Sequence, residues 1–220
     1  GGLVLKKGEG IGSVMQTVIP GQGEANTVKA NQAFAANTGN TIKEGAIHGF
    51  ASGVTNTING ACAFVAGHSN KVFGLASFAC GQANHIEPET DADKVDYSFA
   101  AGRMNKILGG ESPTVLGYKN QVKGNCVFAV GEGNIVTGQH SAVFGKKNEV
   151  TAGSAFVGGY DNVVQSPYAF ITGKNNEVTG PAGVFMHGDG LEATKAWQAI
   201  FGRYNSTDAK ALLIVGNGTA

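Results

Sequence analysis

The chain has 220 residues, 35 of them glycine, and its 16 basic residues are balanced by 16 acidic ones. That balance, with no basic stripe and no arginine cluster, argues against nucleic acid as a partner. No stretch approaches the roughly 18 apolar residues of a membrane span, so no membrane insertion is expected. The opening Gly1-Gly2-Leu3-Val4-Leu5-Lys6-Lys7 lacks the pattern of a secretion signal.

In chain order, residues 1–18 read as a lead-in, 19–187 as a repeat domain and 188–220 as less regular coils that continue it. The repeat is a short phrase that returns about every fourteen residues: small residue, Phe, two small or apolar residues, Gly, two variable residues, Asn, one variable residue, Val or Ile. Ala63-Phe64-Val65-Ala66-Gly67-His68-Ser69-Asn70-Lys71-Val72 is one copy, and Ala169 through Val178 is another. The Gly serves as anchor at Gly53, Gly67, Gly81, Gly102, Gly117, Gly131, Gly145, Gly159 and Gly173, and Asn37 and His187 are expected to fill two further slots. Three residues on stands an Asn column that includes Asn70, Asn84, Asn105, Asn120, Asn134, Asn148, Asn162 and Asn176, broken at Gly190 and Thr219. A Val/Ile column follows two residues later, and a Phe column runs three residues before the anchor.

A fixed short period marks a solenoid in which one repeat is one coil. Fourteen residues are too few for a helical hairpin but enough for two short strands and two tight turns. Val, Ile and Phe suit strands, while the Gly and Asn columns suit turns with positive φ. The expected fold is therefore all-β, a parallel β-roll or β-solenoid of about fourteen coils, roughly 65 Å long at the strand spacing of about 4.8 Å. The strand after the anchor alternates, as in Lys146-Lys147-Asn148-Glu149-Val150, with Val inward. The strand before it is apolar on both faces, as in Ala155-Phe156-Val157-Gly158. One face fills the coil and the other lies bare, which soluble monomers rarely tolerate. A homotrimer, with these strands facing a common axis, is expected to cover it.

Chemistry has few places to reside. The segment Glu87–Asp96 interrupts the period and carries Glu87, Glu89, Asp91, Asp93 and Asp96. It reads as a solvated loop, a partner contact or, through its Asp oxygens, a calcium site, although the order of an EF-hand loop is absent. Gly8-Glu9-Gly10-Ile11-Gly12-Ser13 lacks the Lys-Ser/Thr pair of a phosphate loop. The histidines His48, His68, His85, His140 and His187 are dispersed, with no nucleophile elbow or helical metal motif beside them. Cys62, Cys80 and Cys126 have no metal-ligand spacing and read as small buried residues, with an interchain disulfide as the alternative. Trp197, together with Tyr97, Tyr118, Tyr160, Tyr168 and Tyr204, falls off the Phe column, where aromatics serve packing or sugar stacking. Neither a metal nor another cofactor is expected. If the domain binds a receptor, the acidic segment and the Gly188–Trp197 stretch are the expected contacts, because the period loosens there.

The phrase small-Val/Phe-x-x-Gly-x-x-Ser/Asn-x-Ala/Val-x-Gly, held from about residue 19 to 187, resembles the head repeat of YadA-like trimeric adhesins. That resemblance implies a left-handed parallel β-roll with three chains around one axis. The chain departs from it in preferring Phe and Asn where those heads often carry Val and Ser. The ending, Phe201-Gly202-Arg203-Tyr204-Asn205 through Ala211-Leu212-Leu213-Ile214-Val215-Gly216-Asn217-Gly218-Thr219, is similar to tail-fibre and baseplate segments of phages of Gram-positive hosts. The resemblances together imply a non-catalytic tail-fibre module in a phage virion, a rigid spacer that attaches to a host-surface glycan or protein receptor and to other tail segments. The alternatives are the head of a bacterial trimeric autotransporter adhesin at the cell surface, and a solenoid tailspike enzyme that degrades glycans. Such an enzyme needs a carboxylate pair in a groove, whereas here the acids concentrate in one loop. Ice binding is disfavoured because no regular Thr-x-Thr ladder runs along the outer columns.

Overall fold

A computed structural model describes residues 5–16, 23–180, 182–205 and 210–218. The remainder of the lead-in, part of the C-terminal ending and Thr219 lie outside the described residues. Among the described residues the fold is all-β and parallel, with about thirteen coils and no helix. The chain divides into two compact units, residues 1–113 and 114–220.

The first unit opens with an antiparallel pair, Leu5–Lys7 against Val14–Gln16. The coils then stack in parallel, each giving a five-residue strand to one sheet and a two-residue strand to the other. Phe50–Val54, Phe64–His68, Phe78–Gln82 and Phe99–Arg103 lie in register, Phe on Phe and Gly on Gly. The short strands Thr57–Ile58, Lys71–Val72, His85–Ile86 and Lys106–Ile107 stack likewise. The second unit repeats the plan with Phe128–Glu132, Ala142–Lys146, Phe156–Tyr160, Phe170–Lys174 and Phe185–Asp189. Its short strands include Glu149–Val150, Val163–Val164 and Glu177–Val178.

The interior follows from strand alternation. In each five-residue strand the second residue points inward: Val65, Ala79 and Ala100 in the first unit, Val143, Val157 and Ile171 in the second, all fully buried. They meet the inward residues of the short strands, such as Ile58, Val72 and Ile86, or Val150, Val164 and Val178, which are equally buried. The Phe and the residue before the anchor therefore point outward.

The Asn column locks each coil to its neighbours. Asn148 is wholly buried. Its backbone N–H and its side-chain Nδ2 both donate to Asn134 Oδ1, each at 3.0 Å. The same Nδ2 donates to Phe144 O in its own coil and to Gly159 O in the next, at 3.2 and 3.0 Å. Asn148 Oδ1 in turn accepts from the backbone and side chain of Asn162, at 3.1 and 2.9 Å. The pattern holds along Asn40, Asn56, Asn70, Asn84 and Asn105 in the first unit. It holds along Asn120, Asn134, Asn148, Asn162 and Asn176 in the second. No buried side-chain polar atom among the described residues lacks a partner.

Two features differ from the sequence expectation. The left-handed residue is the one before the Asn, as at Ser69, Lys119, Lys147 and Asp161, with φ of 57°, 56°, 56° and 56°. The Asn itself is not left-handed, and its amide aims into the stack, where it bonds both its own strand and the neighbouring coils. The other difference is one of register. Gly188, not His187, fills the anchor slot opposite Gly173, and His187 pairs with Thr172. The break in the Asn column then falls at Leu191, whose N–H still donates to Asn176 Oδ1 at 3.0 Å but whose side chain cannot continue the ladder.

The anchor glycines are needed twice over. Gly145 has φ of 109°, and a Cβ there would lie 2.0 Å from Gly159 O in the adjacent coil. Replacing Asn148 by Ala leaves several buried groups unpaired, so stability should fall by about 2–3 kcal/mol. Glu149→Ala, on the solvent side of the next strand, should stay within about 0.5 kcal/mol. Urea or thermal melts of the two variants check the contrast.

Candidate functional site

The outward face of the five-residue strands carries a ladder of aromatic rings. In the first unit Phe34, Phe50, Phe64, Phe78 and Phe99 stack with centroids 4.7–5.3 Å apart. In the second, Phe156, Phe170 and Phe185 stack at 4.8 and 5.0 Å. Rings such as Phe64, Phe156 and Phe170 remain 38–40% exposed. Beside them runs a small-residue column that includes Ala66, Cys80, Ala101 and Gly158.

Where the Phe column loses its ring, the neighbouring column gains bulk. Thr114 is matched by Leu116, Ala142 by Phe144 and Ala199 by Phe201. The displaced rings continue the ladder: Phe144 sits 5.6 Å from Phe128 and 5.5 Å from Phe156, and Phe201 sits 5.4 Å from Phe185. The face is thus kept filled, coil after coil.

A second surface lies at the turn that precedes each Phe strand. Its apex residue is left-handed in coil after coil, and in the second unit it reads Cys126, His140, Ser154, Tyr168, Gly183 and Trp197. Tyr168 and Trp197 are 66% and 70% exposed. The indole lies over Gly183, where an added Cβ would fall 2.4 Å from the ring. Between this turn column and the Phe ladder, at the coil where Ala142 replaces Phe, an open groove of about 470 Å³ is lined by His140, Ala142, Ser154, Phe156, Tyr168 and Phe170. No Asp, Glu, Lys or Arg lines it. Tyr168 is a stacking candidate on sequence grounds, but the groove beside it is not evident there. Its one signal is the inverted order Ala142-Val143-Phe144.

The acidic segment does not gather its carboxylates. Asp93 Oδ2 accepts from the backbone and hydroxyl of Thr90, at 3.0 and 2.8 Å, closing a local turn. Asp96 Oδ1 accepts from Leu75 N–H at 2.8 Å and so tethers the segment to the preceding coil. Lys94 pairs with Glu111 at 3.3 Å, and Glu87 lies 3.9 Å from His85 Nδ1. Among the described residues no three His, Cys, Asp or Glu side chains form a group able to hold a metal ion. Glu89 is anchored by its N–H to Leu108 O at 2.9 Å, and Asp91 is part of the exposed tip. Val95 is buried and returns the chain to register, its carbonyl packed on Gly74.

Two of the three cysteines differ from their expected burial. Cys62 and Cys126 are exposed at left-handed turn positions, and Cys80 is half-buried on the outward face, where burial raises its thiol pKa. His85 is held below its ordinary pKa by burial and by Lys71 and Lys106, against the pull of Glu87.

Asp189 is the largely buried centre of a small ion cluster. Lys174 Nζ lies 3.1 Å and Arg203 Nε 3.7 Å from Oδ2, and Asn175 Nδ2 donates to Oδ1 at 3.3 Å. Burial raises its pKa, but the hydrogen bonds from Lys174 and Asn175 and the charges of Lys174 and Arg203 outweigh that and hold it below the ordinary carboxylate range.

Residues 95–187 match the family model of the grass antifreeze beta roll, so over this stretch the chain is similar to that family. A search of curated proteins finds no match. The family match agrees with the beta-roll repeat seen in the structure.

Two outcomes follow from the acidic groups. Deleting Pro88–Lys94 removes seven residues and joins Glu87 to Val95, which resumes the coil. The deletion should fold with a melting temperature close to the parent's, and loss of cooperative melting would show that the loop is part of the coil. Asp189, with its folded-state pKa below its unfolded value of about 3.9, stabilises the fold above that value and loses its contribution as pH falls through the folded pKa. The gap in melting temperature between the parent and Asp189→Asn should therefore be widest near pH 6 and narrow progressively as pH falls below the unfolded value.

Proposed function

We propose that this chain is a non-catalytic fibre module whose working form is a homotrimer, and that it serves a phage tail as a rigid spacer and host-surface attachment domain within the virion. The observation that carries this reading is the filled outward face. A row of half-exposed rings, with each missing Phe made good from the next column, is the surface of something that is covered. A solvent-facing surface gains nothing from filling its gaps, whereas a packed interface loses dispersion contacts at every void. Contiguous exposed apolar stripes are rare on soluble monomers.

The occupant is a second and third copy of the same chain. Closed cyclic symmetry lets every coil meet its own counterpart at one height, so a surface periodic along the coils is covered coil by coil. The phage assignment draws support from the resemblance of Phe201–Asn205 and the apolar run after it to tail-fibre segments. The head of a bacterial trimeric adhesin is a second reading, favoured by the repeat's likeness to YadA-like heads.

The match to the grass antifreeze beta roll raises ice binding as a further reading. Across the matched stretch the outward residues of the short strands are Lys106, Gln121, Ile135, Glu149, Val163 and Glu177. A column that mixes both charges with apolar side chains offers no uniform lattice. Thermal hysteresis at millimolar concentration should be absent, and its presence would favour the antifreeze reading.

Native mass spectrometry at micromolar concentration should give three chains. Phe170→Asp should abolish that species, because a carboxylate would be desolvated without a partner at three equivalent places. Glu177→Gln, on the opposite sheet, should leave it intact. A stable monomer of the parent protein would remove the basis of the reading.

A further inference from the structure

We infer that the second unit carries a binding site for a linear, uncharged glycan, laid along the turn column from the His140–Ser154 groove across Tyr168 to Trp197. The inference rests on the attachment role proposed above and names the ligand class of that role.

The lining disfavours charged ligands. On the turn side, beside the face that the subunits would share, the lining presents the methyl of Ala142 and the hydroxyl or imidazole groups of Ser154, Tyr168 and His140, and Phe156 and Phe170 bound it on the ladder side. A phosphate or carboxylate would find no lysine or arginine there, and an ammonium group no acid. An apolar floor with a few polar groups at its rim suits a pyranose ring, which has C–H groups on its faces and hydroxyls at its edge. Its volume of about 470 Å³ lies in the range of small-molecule sites. Its lining comes from three successive coils, so a ligand segment lying along the stack would meet them in turn.

The spacing of the exposed aromatics makes the ligand linear. Tyr168, Gly183 and Trp197 occupy the same slot in three successive coils: Gly183 N–H donates to Pro167 O, and Trp197 N–H to Ala182 O, at 3.0 Å each. Tyr168 and Trp197 are thus two coils apart, about 10 Å at a coil spacing of about 4.8 Å. That is roughly the length of two linked pyranose rings in an extended glycan. Glycine between them is part of the arrangement. With any side chain at position 183 the indole would be displaced, since a Cβ there would approach it to 2.4 Å. Resting on the backbone, the ring turns one broad face to solvent, and the residue is 70% exposed. The left-handed backbone is shared by the whole column, so the aromatic side chains are not required by the turn. Ser112, Cys126 and Ser154 make the same turn with small side chains.

Trp197 is the chain's single tryptophan and therefore reports on its own site. The full chain is titrated with cellohexaose, chitohexaose, maltohexaose and glucose while its emission is followed, and its oligomeric mass is measured in the same buffer. At least one hexasaccharide should shift the emission saturably, with glucose weaker by about tenfold or more, because only the longer ligand reaches both platforms. Tyr168→Ala should weaken binding by about tenfold with the mass unchanged, and Glu149→Gln should bind as the parent does. The site is refuted if none of the hexasaccharides changes the emission, if glucose binds as tightly as they do, or if Tyr168→Ala binds equally well. Dissociation of the assembly by Tyr168→Ala would also refute it, by assigning the turn column to subunit contact. A trimer that binds none of the sugars refutes the site and leaves the fibre reading standing, whereas a monomer refutes the fibre reading itself.

Discussion

Everything in this fold depends on a buried asparagine amide satisfied across three coils. A fourteen-residue coil has a lumen only two side chains wide, so little apolar area closes each turn. The Asn side chain supplies what the lumen does not. Its NH2 ties the end of its own five-residue strand to the preceding Asn and to the next anchor glycine, and its carbonyl takes two donors from the following coil. Serine has too few donors for that geometry, aspartate none, and glutamine would carry its amide one carbon too far. The ladder is cooperative in the sense that each amide orients the next, and leaving one out strands the buried groups on both sides. The same argument explains the anchor glycine. Its carbonyl has to reach the amide, which brings successive backbones so close that a Cβ would collide with the neighbouring carbonyl.

Because the ladder and the anchor set the pitch, side chains on the outside are freed from any duty to the fold. They line up in columns, and each column becomes a surface whose character is written by a single repeat position. The Phe column is nearly uniform, and where its ring is lost an apolar side chain enters from the adjacent position, as Leu116, Phe144 and Phe201 do. The turn-apex column is the opposite, moving from Gln32 and His48 to Tyr168 and Trp197 with no rule of size or polarity. Uniformity fits a partner with the same period, and variety fits a ligand recognised at one place. That columns can differ so sharply in character follows from the geometry of stacking.

Much of the fold is legible in the sequence because it is periodic. The Gly, Asn, Val and Phe columns alone determine strand phase, coil length and the inward set, and the seven-residue excess after Ile86 locates the acidic loop. What the sequence conceals are matters of a single residue. Steps of fourteen put His187 in the anchor slot, although Phe185, three residues before Gly188, carries the signal that the step there is fifteen. Gly188 holds that slot because only glycine allows the approach to Gly202 O, at 1.9 Å from an added Cβ. Composition points to Asn for the left-handed position, where Asn175 is joined by Ser, Thr, Ala, Asp, Lys and Met. They occur there because backbone bonds between coils hold the turn, such as Ser69 N–H to Val54 O at 2.9 Å, and override local preference.

The candidate site is less legible for a related reason. A groove between two columns is a property of neighbours in adjacent coils, so residues 140, 154 and 168 meet only when the stack is built. Within one repeat, His140 is a lone histidine and Ala142 an unremarkable small residue. Stacked, the missing ring at Ala142 opens a space that Phe144 fills on one side only, since its ring tilts by 59° against Phe128 and 38° against Phe156 instead of lying parallel. The tilt keeps the ladder continuous toward the small-residue column and leaves the turn side open. One substitution pair therefore does two things at once. It preserves the face that copies of the chain would share, and it creates beside it a recess that a coil with Phe at this position would close.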